Sequence, residues 1–283
     1  MVTEQRQGDA VYVAGRSDRE TRRLEQQGAL YGDTTRRLFE RAGLGPGMKV
    51  LDVGSGSGAV ARMAGELVGT QGSVVGVDVN PVILETARAQ AAAAGLTNVS
   101  FLAGDIRDIA LPNDFDAVVG RAVLMYLRNP GETLRLAARH LRSGGVVAFQ
   151  EPDSTAPPLA LPPSRHWERM LGWWLEVARR GGVELSIGFK LRGAFLDAGL
   201  PEPRLHLDAP MGGGMDWAGY GYAAQTVRSI LPLLVQYGIA TEEEVGIETL
   251  EERFRDEVTT QNGVVALQSY ISAWTHTVQG GRE

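Results

Sequence analysis

Residues 49–68, KVLDVGSGSGAVARMAGELV, put an apolar run, three glycines and a helical pattern in direct succession. The run KVLDV (49–53) reads as a strand, apolar around Asp52. Gly54, Gly56 and Gly58 let the backbone turn sharply and approach a ligand with no Cβ in the way. The helix that follows aims its free N–H groups at the turn. Strand, tight turn and helix in this order open a parallel α/β unit. The turn by itself fits either a plain connection or a nucleotide cradle, and GSGSGA also satisfies the dinucleotide pattern G-x-G-x-x-G/A.

The alternation continues. SVVGVD (73–78) is a second strand, followed by a helix with Asn80 as cap, Pro81 at its first position and Gly95 as stop. VSFLAG (99–104) and FDAVVGRA (115–122) are the third and fourth strands. Asn129 and Pro130 open a helix that closes before Gly144, and GVVAFQE (145–151) is the fifth strand. Beyond it the rhythm breaks. A proline-rich connection (152–164) leads to a tryptophan-rich helix, a short helix at 191–200 and a strand at 203–209. A glycine-rich aromatic stretch follows at 211–222, then helices near 222–237 and 241–260 and an extended run at 263–278. The stretch 1–16 reads as an extended arm. A helix follows from Ser17 to Gly43, with a Ser17–Glu20 capping box and Leu24, Ala29, Leu30, Leu38 and Phe39 as apolar contacts.

With 283 residues, 43% hydrophobic and 22% charged, the chain is large enough for one domain with a lid. A formal charge of -6 argues against a nucleic-acid partner, which wants a basic face. The absence of cysteine excludes disulfides and thiolate metal sites. No apolar stretch reaches the ~20 residues that span a bilayer, and the first residues carry no apolar signal core. The expected setting is cytoplasmic, with no membrane partner.

Three acids stand at or near the carboxyl ends of successive strands, where open α/β sheets bind ligands. Asp52 lies just inside the first strand end, Asp78 closes the second and Asp105 follows the third. Asp78 comes twenty positions after Gly58, the spacing of a ribose-hydroxyl acceptor. Asp52 would serve a pyrophosphate poorly and a cationic cofactor well. Each acid also fits a strand-end cap.

VLDVGSGSG, VVGVD, FLAGD and HLRSGGVVAF together resemble the motifs of class I S-adenosylmethionine-dependent methyltransferases over residues 45–150, with AFLDAGL (194–200) as a further element. YVAGRSDRETRRLEQQ, GRAVLMYL and FQEPD are similar to a bacterial small-molecule type of that family. The resemblance implies an α/β fold: a Rossmann-like, seven-stranded, mostly parallel sheet with its last strand antiparallel and helices on both faces. It implies a domain over 44–283 preceded by an arm and cap helix (1–43), with cap insertions at about 157–185 and 211–261. It implies S-adenosyl-L-methionine as cofactor and S-adenosyl-L-homocysteine as product. Gly54, Gly56 and Gly58 would pack under the methionine part. Asp52 would hold the turn and, through water, the ammonium group. Asp78, with Val79 beside it, would take the ribose hydroxyls. Asp105 and the backbone of Ile106 would read adenine, and Arg121 would face the amino-acid end and the acceptor.

Methyl transfer needs alignment and a dry cavity, so the helices outside the alternating core are expected to form a cap. Trp167, Trp173, Trp174, Trp217 and Tyr220 are candidate substrate walls or plain packing residues. His166, Glu151 and Asp153 are the candidate acid–base groups, each also readable as a surface, packing or loop-capping residue. His140, His206 and His276 read as structural. Some family members hold magnesium with carboxylates at the fourth strand end. GRAVLMY has no acid there, so no metal is expected. The acceptor is expected to be a small molecule, methylated on oxygen or carbon. The competing readings are an NAD(P)-dependent oxidoreductase and an adenosylmethionine-binding protein with another activity.

Overall fold

The computed structural model describes residues 9–10, 12, 18–155 and 159–278. The Ser17–Glu20 capping pair and most of the arm lie outside the described residues. The elements are α1 (Asp18–Ala42), β1 (Lys49–Val53), α2 (Ala59–Val68), β2 (Ser73–Asp78), α3 (Pro81–Ala93), β3 (Val99–Ala103) and β4 (Phe115–Arg121). They continue with α4 (Pro130–Ala138), β5 (Leu141–Asp153), β6 (Ala160–Leu161), α5 (Arg165–Arg180), α6 (Ile187–Asp197), β7 (Arg204–Asp208) and β8 (Met211–Gly212). The last are α7 (Gly219–Gln236), α8 (Glu242–Val245), α9 (Leu250–Thr260), β9 (Val264–Ala266) and β10 (Ser269–His276).

Seven strands form one sheet in the order β3-β2-β1-β4-β5-β10-β7. Pairing is parallel from β3 to β5. β10 runs antiparallel to both β5 and β7. The seven-stranded sheet with its last strand reversed is thus observed. Strand residues alternate between two cores. Leu51, Val53, Val118 and Phe149 join one, while Val50, Val74, Ala117 and Val119 join the other. A sheet covered on both faces needs apolar residues at both parities, which is why its strands read as unbroken apolar runs.

Several boundaries differ from expectation. β5 starts at Leu141, because Leu141 already pairs with Phe115, so α4 is shorter than its sequence pattern implied. α7 begins at Gly219, ahead of 222. The stretch 211–222 is ordered by Trp217: a Cβ at Gly212 or Gly219 would run into its ring. Met211–Gly212 also joins a second sheet, of order β6-β9-β8, which pins both insertions to the run before β10. The 241–260 segment splits into α8 and α9, since Gly246 turns left-handed at φ 53°. The Thr241–Glu244 capping box is present.

Candidate active site

The first turn shows what its glycines are for. Gly54, Gly56 and Gly58 have φ of 69°, 52° and 81°, all left-handed. A Cβ on Gly58 would sit 2.8 Å from the Phe101 ring, and one on Gly54 would run into Val123. At Gly56 the nearest atom to an added Cβ is 4.0 Å away, on Leu24, because the space in front of it is a cavity. That cavity encloses about 380 Å³ between the strand ends and the helices α1, α5 and α7.

One end of the cavity is made by the strand ends. Asp78 Oδ2 accepts the Gly56 N–H at 2.9 Å and Oδ1 accepts the Asn80 N–H at 2.8 Å. Both bonds fix the carboxylate on the cavity wall, with Val79 beside it. Asp105 and Ile106 line the same end. The Asp105 carboxylate is gripped by Arg107, whose Nε reaches Oδ1 at 2.8 Å and Oδ2 at 3.0 Å. Arg107 Nη2 also reaches Asp9 at 2.8 Å, so Asp9 of the arm is tied to the Asp105 end of the cavity. These hydrogen bonds, to Asp105 foremost, hold the Arg107 pKa above its usual value. Arg107 and Asp9 were not expected from the sequence; the arm's approach is a long-range contact with no local signature.

Asp52 is fully buried and does not line the cavity. Neither carboxylate oxygen has a hydrogen-bond partner, and burial pushes its pKa well up, against the pull of Arg121. Arg121 does line the cavity. The register sets Gly120 opposite Val53, so Arg121 flanks Gly54. Its Nη1 donates to Thr35 Oγ1 at 2.9 Å, and burial lowers its pKa.

The three acid–base candidates stand elsewhere. Glu151 is fully buried and absent from the cavity wall. Its Oε1 accepts the N–H groups of Val123 (3.0 Å) and Leu124 (2.9 Å), and Oε2 that of Met125 (3.3 Å). It holds the single 3-10 turn Leu124–Tyr126 after β4. Asp153 accepts from Thr155 and, at 3.2 Å, from the Phe189 N–H in the first turn of α6, where it supplies an N-terminal cap. His166 bonds Glu257 at 3.0 Å, and Glu257 also takes the N–H groups of Arg165 and His166 at the start of α5. None of the three lines the cavity, and each is engaged by the partners just named. His166→Ala is expected to change turnover by no more than about twofold, against the ~10²-fold or greater loss of a general base. Steady-state kinetics on an identified acceptor reads the difference.

The aromatic candidates divide. Trp167 and Trp174 line the cavity. Trp173, Trp217 and Tyr220 do not: Trp173 packs in the core under Arg169, and Trp217 lies 5.1 Å from the buried Tyr220 and 6.2 Å from Trp167. The wall instead gains Tyr222 and Tyr270 with Gln27 and Arg23 from α1. The Arg23, Gln27, Tyr31, Thr34/Thr35 and Leu38 stripe has helical spacing and is buried, but its polar members hid it from a search for apolar contacts. Among the described residues no three His, Asp or Glu side chains gather as a metal site, and no helix is long and apolar enough to cross a membrane.

A switch-point cavity with a glycine turn and successive strand-end acids defines a nucleoside-cofactor α/β protein. Residues 44–178 match the family model of a methyltransferase domain. The matched stretch is just under half of the chain, which is similar there to methyltransferases. The chain is 37% identical over 118 residues to the aklanonic acid methyltransferase DauC of Streptomyces sp. (strain C5), covering 41% of this chain and 54% of that protein. It is also 37% identical over 134 residues to the nocamycin O-methyltransferase of Saccharothrix syringae, covering 47% and 45%. The chain thus spans about half the length of these curated relatives. The structure of geranyl diphosphate methyltransferase in complex with SAM superposes with a TM-score of 0.54 at 18% identity, over 95% of this chain and 96% of that one, a likeness of fold.

The cofactor of the family is S-adenosylmethionine, and the residues present fit it. The Gly56 cradle is open, the Asp78 carboxylate is fixed on the cavity wall, and Asp52 lies buried behind the turn.

Proposed function

We propose that the protein transfers a methyl group from S-adenosylmethionine to a small organic acceptor inside a capped pocket. The observation that carries this reading is a single cavity whose wall joins the glycine turn, Asp78 and Asp105 to the helices α1, α5 and α7. When bound, the cofactor supplies a methyl group already activated on a sulfonium. The protein's part is then to bind, align and keep out water.

In this reading residues 44–283 form the catalytic domain, with the arm and the insertions as its cap. Gly54–Gly58 support the methionine part, and Asp78 with Val79 takes the ribose. Ile106 and the Asp105–Arg107 pair frame the adenine. Trp167 and Trp174 enclose the acceptor with Met125, Met170 and Leu171. Oxygen is the favoured acceptor atom over carbon. The dinucleotide reading is the weaker one, because residues 44–178 match a methyltransferase domain.

Calorimetric titration tests the reading. Adenosylmethionine is expected to bind in the micromolar range, about 8 kcal/mol, and NAD not to bind. Binding of NAD in place of adenosylmethionine would overturn it.

A further inference from the structure

The far end of the cavity is rich in hydrogen-bond donors, and its acceptors are neutral. Gln27 Nε2 donates to the Tyr270 hydroxyl at 2.8 Å and to the Tyr222 hydroxyl at 3.4 Å. Arg23 Nη1 donates to the same Tyr222 hydroxyl at 3.4 Å and lies over its ring. Each phenol oxygen is therefore occupied as an acceptor. Among the described residues neither phenol O–H has an acceptor of its own, although Tyr270 is 2% exposed. A buried phenol ordinarily finds one. The Arg121 guanidinium donates to Thr35 and lines the same cavity.

Imidazoles are missing from this end among the described residues, and the acceptors on its wall are the neutral oxygens of Gln27, Gln268 and Thr226. No histidine lines the cavity among the described residues. Its carboxylates, Asp9, Asp78 and Asp105, stand at the cofactor end, and each already takes hydrogen bonds there. Two of the wall's indole N–H groups, on Trp167 and Trp174, also lack partners. Arg121 lies within electrostatic reach of both phenols, and two phenol donors beside a guanidinium on a wall with only neutral acceptors suit an oxyanion.

We infer that this end of the cavity binds the methyl acceptor as an anion: an apolar, ring-sized body whose ionised oxygen lies between Arg121 and the hydroxyls of Tyr222 and Tyr270. The inference rests on the methyl-transfer reading and names its substrate class. An oxygen that arrives ionised has no proton for the enzyme to remove, which accounts for a wall without a base. Its lone pair forms the new C–O bond, the broken S–C bond leaves its electron pair on sulfur, and the opposite charges of the two reactants cancel. An amine acceptor that arrives protonated would face two guanidinium groups, which disfavour it.

The test is a calorimetric series on protein saturated with S-adenosylhomocysteine. The probes share one ring system: naphthoate, its neutral amide, the naphthylmethylammonium ion, and lawsone as an acidic enol. Naphthoate or lawsone is expected to bind about tenfold or more tighter than the amide, with the ammonium weakest. The tighter of the two names the oxyanion as carboxylate or enolate. Tyr270→Phe is expected to remove about tenfold from the anion's affinity, and to leave that of S-adenosylhomocysteine within about threefold; Arg121→Gln is expected to remove at least as much from the anion. Equal binding of the amide or the ammonium, or no anion binding at millimolar concentration, would overturn the inference. So would variants that lose S-adenosylhomocysteine and keep the anion, since the oxyanion held there would then be the cofactor's own carboxylate. A wild type that binds neither form of the cofactor defeats the methyl-transfer reading instead.

Discussion

Asp78→Ala is expected to weaken adenosylmethionine binding by at least about tenfold, or ~1.4 kcal/mol. The carboxylate is fixed by the N–H groups of Gly56 and Asn80 at 2.9 and 2.8 Å, so it meets a ligand pre-oriented. Hydrogen bonds from hydroxyls to a charged acceptor contribute about 1.5–3 kcal/mol each. The substitution also strips the Gly56 N–H of its partner and loosens the turn that supports the methionine part. Asp78→Asn keeps an oxygen for Gly56 and loses the charge, so its affinity should lie between the two. Calorimetry on the three proteins decides. An alanine variant within about threefold of wild type would remove Asp78 as the ribose anchor.

Glu151→Ala is expected to cost about 3–5 kcal/mol of stability, from backbone N–H groups left unpaired in the core at ~1–3 kcal/mol each. The turn it holds carries Val123, Met125 and Tyr126 on the cavity wall, and Val123 packs against Gly54. Cofactor affinity should therefore fall with stability, which makes Glu151 a positioning residue. Its ionisation adds a pH dependence. Burial raises its pKa from 4.5 to about 7, against the lowering effect of the three N–H bonds. A carboxyl with a raised folded pKa favours the fold when protonated. That stability is fully present below pH 4.5 and is lost as pH rises through about 7, by a few kcal/mol on the order of ~3. Glu151→Gln should flatten this slope. Urea unfolding at acid and mildly alkaline pH measures it, and equal slopes for wild type and the glutamine variant would contradict the account.

The cofactor half of the site was legible because each of its signals is local. Three glycines within five residues, an acid at each strand end and a proline at the first position of a helix act through the backbone they sit on. The acceptor half was not. The five aromatic candidates look alike in sequence, yet Trp167 and Trp174 meet the cavity while Trp173 and Tyr220 are buried in the core and Trp217 packs half-buried against it. Helix phase separates Trp173 from Trp174, and only packing against α7 and α9 fixes that phase. Glu151 and Asp153 looked like free carboxylates at a strand end. Their partners, the turn after β4 and the first turn of α6, lie up to 36 residues away in sequence.

The sequence by itself determined the parallel sheet, the glycine turn and the acids at the strand ends. Unbroken apolar runs and left-handed turns are properties of short segments. The tertiary structure alone decided what lies opposite the cofactor. Gln27, Tyr222 and Tyr270 meet across separations of 195 and 243 residues. Such contacts leave no periodic trace, because each polar side chain is buried only by virtue of partners that the fold brings to it.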